Sequence, residues 1–182
     1  NIKARDVGCK SMRNIYLLDC THNALHHEWL AGGSRPNTIV DGYYIMGNDI
    51  TGSRSVTIGF SATKSGISET EFTTIKNVYV MDNIIRNPWR FIISTGIDGI
   101  ANVPARVDID NIQIKNNTLI LDDDSYASPR GASFIRLRLG EASEQSVTNV
   151  IIENNTIEVG PGWDLNAYPR GGLSVTSGSI ET

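Results

Sequence analysis

The chain alternates apolar and polar positions in short bursts, and the bursts repeat. In Asn149-Val150-Ile151-Ile152-Glu153-Asn154-Asn155-Thr156-Ile157, apolar residues recur at every second position, then resume at Ile157 after a polar corner. Period-two alternation is strand spacing, so the phrase reads as two short strands around a tight bend. Asn111 to Leu119 and Asn77 to Ile85 are the same phrase, Gly42 to Ile50 is a looser copy, and Asn14 to His22 the loosest. Anchored on their first apolar residues (15, 43, 78, 112 and 150), the copies are 28, 35, 34 and 38 residues apart. A drifting period in the thirties marks an architecture of stacked repeats.

Two polar columns run through the aligned copies. Cys20, Asn48, Asn83, Asn117 and Asn155 form one; Asn14, Gly42, Asn77, Asn111 and Asn149 form the other. Asn tolerates the left-handed backbone of a sharp bend, so the first column is expected to carry the corner. Stacked Asn side chains can also bond from copy to copy. A third strand follows each corner: Val56 to Phe60, Arg90 to Ser94, Phe134 to Leu139, and a run from Leu173. Three short strands per repeat predict an all-β fold, a single-stranded parallel β-helix of about five coils. At one strand spacing per coil, the prism would be roughly 24 Å tall. Ile15, Leu17, Ile45, Val78, Val80, Ile112, Ile114, Val150 and Ile152 are the expected inward stacks. Residues 1–182 read as one such domain, expected to be a fragment of a longer chain, because strand edges at both ends would need cover.

The two late copies differ from the earlier ones. Asn48 reaches Val56, and Asn83 reaches Phe91, in 8 residues; Asn117 needs 17 to reach Phe134, and Asn155 needs 18 to reach Leu173. Both late coils therefore carry an insertion at one register, and such insertions emerge on one face, commonly the binding face. The insertions also echo each other, Ala127-Ser128-Pro129-Arg130-Gly131 against Ala167-Tyr168-Pro169-Arg170-Gly171.

Composition narrows the field. A net charge of -4 argues against bulk nucleic-acid binding, which wants a basic stripe. No apolar run approaches membrane-spanning length. Cys20 sits in the corner column, and a bridge to Cys9 is open to it. Asn116-Asn117-Thr118 and Asn154-Asn155-Thr156 match the glycosylation sequon, but their place at the corners favours a structural role.

These phrases and their spacing resemble the right-handed parallel β-helices of the pectate-lyase-like superfamily, over Asn14 to Thr176. The irregular coils and long loops look most like bacteriophage tailspike and depolymerase β-helices. The resemblance implies an extracellular or virion location at a phage tail, or secretion if bacterial. It also implies a polysaccharide ligand and a homotrimer. It points to a glycoside hydrolase acting on capsular or O-antigen polysaccharide. The alternatives are a polysaccharide lyase and a non-catalytic shaft of a spike or adhesin.

Enzymes of that superfamily use the exposed side of the third strand and the loop before it. Here that region holds five arginines: Arg90, Arg130, Arg136, Arg138 and Arg170. Arginine grips a sugar carboxylate with a two-pronged contact; the plainer alternative is a solvated, salt-bridged surface. Glycoside hydrolysis needs two carboxylates across one bond, and Asp122, Asp124 and Asp164 are the candidates. The run Asp122-Asp123-Asp124 would equally suit a calcium ion; no other cofactor is implied. Trp89, Tyr126 and Trp163 offer rings for a sugar to stack on, or caps for the coil beneath. Arg86-Asn87-Pro88-Trp89-Arg90 resembles an Arg-x-Pro-x-x-Arg segment of pectate lyases but is one residue short, so no catalytic role is carried over. In His26-His27-Glu28, strand alternation lets only His26 and Glu28 share a face, and no metal site follows.

Overall fold

The computed structural model describes residues 11–24, 30–32, 38–53, 56–62, 72–88, 91–97, 106–123, 132–140, 144–166 and 170–177. They form three strands per coil over five coils. The first coil holds β1 (Ser11–Leu18), β2 (Thr21–Ala24) and β3 (Leu30–Gly32). The second holds β4 (Thr38–Met46), β5 (Asp49–Ser53) and β6 (Val56–Ala62). The third holds β7 (Phe72–Met81), β8 (Ile84–Pro88) and β9 (Phe91–Ile97). The fourth holds β10 (Arg106–Lys115), β11 (Thr118–Leu121) and β12 (Ala132–Gly140), and the fifth β13 (Glu144–Glu153), β14 (Thr156–Val159) and β15 (Arg170–Ser177). Every strand pairs in parallel with its counterpart one coil away, giving three five-stranded sheets. We name them A (β1-β4-β7-β10-β13), B (β2-β5-β8-β11-β14) and C (β3-β6-β9-β12-β15). The described part is thus an all-β parallel β-helix.

Apolar residues fill the prism as the alternation predicts. Tyr43, Ile45, Val78, Val80, Ile112 and Ile114 are buried, in vertical register from coil to coil. Ile50, Ile85, Leu119 and Leu121 of sheet B close the same cluster. Ile15, Leu17, Val150 and Ile152 are only partly buried, because the first and last described coils are packed on one side.

The corner column is a continuous hydrogen-bonded ladder. Asn48 Nδ2 donates to Asn83 Oδ1 at 2.8 Å, Asn83 Nδ2 to Asn117 Oδ1 at 2.9 Å, and Asn117 Nδ2 to Asn155 Oδ1 at 2.9 Å. The same Oδ1 atoms accept the backbone N–H groups of Asn48, Asn83 and Asn117. The second proton of each Nδ2 goes to a strand carbonyl of the preceding coil, at Leu17, Ile45, Val80 and Ile114. Asn48, Asn83 and Asn117 are thereby buried with their amides satisfied, the condition for placing a polar side chain in a core. Cys20 is a free, half-buried thiol donating to the Leu18 carbonyl, and its backbone N–H bonds Asn48 Oδ1. Cys9 lies outside the described residues.

One expectation is corrected. The left-handed residue at the corner is not the ladder residue but the one before it. Asp19, Gly47, Asp82, Asn116 and Asn154 have φ values between 50° and 68°. The side chain of the next residue can then turn inward and stack. Both sequon asparagines, Asn116 and Asn154, are therefore exposed corner residues beside the ladder rather than rungs of it. The second polar column is left-handed throughout, with φ of 52° at Asn14, 80° at Gly42, 55° at Asn77, 53° at Asn111 and 54° at Asn149. Each creases a long strand of sheet A and shifts its alternation by one. Ile109 and Ile112 both face inward as a result, with Asp110 and Asn111 between them.

Candidate functional site

The two late insertions leave the prism one on top of the other. The first begins after Leu121, the second after Val159, and these residues are register partners. Gly160 N–H donates to the Leu121 carbonyl at 2.7 Å. Gly162 then lies against the Asp122 carbonyl, so close that a Cβ there would collide with it. The turn closes with Trp163 N–H on the Gly160 carbonyl at 3.2 Å. Asp122, Asp123 and Asp164 are all exposed on these stacked segments, and Asp164 accepts the Asn166 N–H at 2.8 Å.

A residue from the coil below fixes where the first insertion starts. Asn87, left-handed at φ 48°, accepts the backbone N–H groups of Asp122 at 2.8 Å and Asp123 at 3.1 Å through Oδ1. Its Nδ2 donates to the Asp122 carboxylate. Nothing in the sequence singled Asn87 out except its place in the lyase-like segment. Arg86 of that segment pairs with Asp49 one coil away, at 3.3 Å, and Pro88 is the register partner of Ser53. Both therefore hold neighbouring coils together.

Trp163 is 5% exposed and belongs to the hydrophobic cluster, so its ring caps the core rather than standing free as a stacking surface. Positions 136 and 138 share one side of β12, alternating with Ile135, which is buried. Position 136 is flanked by Ser94 and Ser174, and position 138 by Gly96 and Thr176. Arg170 opens β15 opposite Ala132. Trp89, Arg90, Asp124, Tyr126 and Arg130 lie outside the described residues, as do the side chains of Arg136, Arg138 and Arg170. Among the described residues, no three of His, Cys, Asp and Glu converge to hold a metal ion. Asp124, the third acid of the suggested calcium run, is not among them.

Compared with protein families, curated proteins and solved structures, the chain matches none. What stands is the architecture alone, a parallel β-helix with stacked asparagines.

A second organised surface, outside the expected site, covers sheet A. Tyr16, Tyr44 and Tyr79 stack ring on ring, with centroids 4.6 and 5.0 Å apart and planes 5° and 9° from parallel. Asn111 Nδ2 donates to Asn77 Oδ1 at 2.8 Å and is within 2.9 Å of the Tyr79 hydroxyl. The signal was present in the sequence: tyrosine follows the first apolar residue in three of the five phrases.

Proposed function

We propose that this chain is an extracellular polysaccharide-binding β-helix whose glycan site lies beside the two late insertions and the outer side of sheet C. The observation that carries this reading is the stacking of the insertions, through Gly160 on Leu121 and Gly162 on Asp122. The stacking sets the first residues of the two loops against each other, with Asp122, Asp123 and Asp164 exposed on them. Arg136 and Arg138 occupy the neighbouring strand, with Ser94, Ser174, Gly96 and Thr176 as their register partners. In this reading the arginines hold acidic groups or hydroxyls of the glycan, and the aspartates accept from its hydroxyls.

A hydrolytic role is the second reading, favoured by Asp122 and Asp164 on segments stacked in adjacent coils. In a retaining reaction one carboxyl would protonate the leaving oxygen while the other attacks the anomeric carbon, and water, giving its proton to the first, would then displace the second.

Binding and reducing-sugar release against a panel of capsular and O-antigen polysaccharides test both. Arg136→Ala is expected to weaken binding of the responding glycan. Asp122→Asn or Asp164→Asn is expected to lower turnover by orders of magnitude at similar affinity if the site cleaves, and to leave binding nearly intact if it does not. A chain that binds no polysaccharide in the panel, and whose Arg136→Ala variant behaves identically, rules the reading out.

A further inference from the structure

The outer face of sheet A carries an ordered pattern that is only partly used within the chain: Lys76 Nζ lies 3.5 Å from Asp41 Oδ2, and Asp110 accepts from Thr148 and Asn149. On one side of the crease, every coil contributes one residue to a vertical row: Arg13, Asp41, Lys76, Asp110 and Thr148. The signs alternate over the first four coils. On the other side run two rows, Tyr16, Tyr44, Tyr79, Gln113, Ile151 and Leu18, Met46, Met81, Lys115, Glu153. The first three coils are thus apolar there, with Tyr16 58% and Leu18 48% exposed, and the next is polar. An apolar patch rimmed by charge on one sheet face is the mark of an interaction surface.

The charge row also says what fits it. Reversed end for end about a point between the second and third coils, it becomes its own complement. Arg13 then meets Asp110, and Asp41 meets Lys76. The same reversal sets Tyr44 against Tyr79 and Met46 against Met81, while Lys115 falls over Leu18 and Gln113 over Tyr16. Moving the point to the third coil would oppose Asp41 to Asp110 and Lys76 to itself; a point between the third and fourth coils avoids like charges but opposes only Lys76 to Asp110, so the first register makes the most opposite-charge contacts. A surface complementary to itself under a two-fold rotation is the requirement for an isologous dimer.

We propose that the outer face of sheet A docks a second copy of this chain, with the helix axes antiparallel and the two-fold axis between the second and third coils. The tyrosine–methionine rows supply the apolar burial and the charge row fixes direction and register. Four coils span only about 19 Å, so the interface belongs to the small, transient class. Its strength falls as salt rises.

The test is sedimentation velocity of the chain across a concentration series reaching the millimolar range, at low and high salt. A monomer–dimer equilibrium is expected. Arg13→Asp and Asp110→Arg each place like charges opposite one another twice per dimer, and each should weaken association about tenfold or more. An equimolar mixture of the two variants should recover the dimer, because one contact is native and the other is restored with its signs exchanged. Arg13 and Asp110 are three coils apart within a chain, so recovery in the mixture reports only the contact between chains. Asp110 also accepts bonds from Thr148 and Asn149. Should Asp110→Arg fail to fold by circular dichroism, Met46→Lys mixed with Met81→Glu gives the same readout. A chain that stays monomeric throughout, that forms trimers, or whose association ignores Arg13→Asp overturns the proposal, as does a mixture that fails to recover.

Discussion

Asn83 and Asn117 are joined twice: Asn117 Oδ1 accepts the side-chain amide of Asn83 at 2.9 Å and its backbone N–H at 3.1 Å. Asn117→Ala would remove that shared acceptor and leave two buried donors unpaired. A destabilisation of roughly 1–3 kcal/mol is expected, measured as a lower midpoint in urea with an unchanged slope. An unchanged midpoint would mean that water enters the corner and replaces the amide.

Gly47 is the one corner residue without a side chain among Asp19, Asp82, Asn116 and Asn154, and its φ is 68°. Gly47→Ala forces an ordinary side chain into the left-handed region, at a cost of about 1–2 kcal/mol. Gly47→Asn should cost less, since asparagine is adapted to that region. Thermal denaturation of the two variants should rank alanine below asparagine; the reverse order would remove backbone strain as the cause.

The phenol of Tyr44 is held above its ordinary value, first by burial in the stack and then by its neighbours Tyr16 and Tyr79 and the Asp41 carboxylate. The folded state therefore favours the neutral ring more than the unfolded chain does. That contribution is complete below about pH 10 and is lost as pH rises through the raised folded value. Stability measured from pH 8 to 12 should fall less steeply in Tyr44→Phe than in the parent, and equal slopes would exonerate Tyr44.

Asp110 titrates in the opposite sense. Bonds from the Thr148 hydroxyl and Asn149 amide lower its value, outweighing burial, with Lys76 adding to the effect. Its contribution is present above the unfolded value of about 3.9 and disappears as pH falls through the folded one. Thr148→Val should be less stable than the parent at neutral pH, and the gap should close in acid. A gap independent of pH would place the loss elsewhere.

At the insertions, Gly162→Ala inserts a methyl group where the Asp122 carbonyl already sits. The second loop must lift off the first. Glycan binding is expected to drop more than the unfolding midpoint, because the ladder and most of the core lie elsewhere. Equal losses in both would show that the loop stack belongs to the core.

Most of the fold could be read from the chain because a stacked repeat writes each inward position several times. One alternating copy is ambiguous; five copies with Leu17, Ile45, Val80, Ile114 and Ile152 in one column are not. The bend was assigned one residue late because Asn116 and Asn117 are the same amino acid in adjacent places. Only geometry separates the residue that turns the backbone from the one that turns inward. Trp163 illustrates a different limit, since an aromatic loop residue reads the same whether it caps a core or faces solvent. Asn87 was out of reach for a third reason: its partners Asp122 and Asp123 are 35 and 36 residues away, and their pairing depends on coil stacking. The tyrosine stack is written in the chain as one column, Tyr16, Tyr44 and Tyr79, but a column on an outward position does not say that its rings touch.

Each Nδ2-to-Oδ1 rung of the asparagine ladder points the same way along the axis, whether the chain between rungs is 35, 34 or 38 residues long. The ladder constrains where a coil must return and in what orientation, and says nothing about the path taken in between. Loops on this scaffold are therefore interchangeable parts. A foreign loop grafted between Leu121 and Ala132, of any length that lets the chain come back to its rung, should leave the rest of the prism standing. New specificities could then be exchanged without redesigning the frame that carries them.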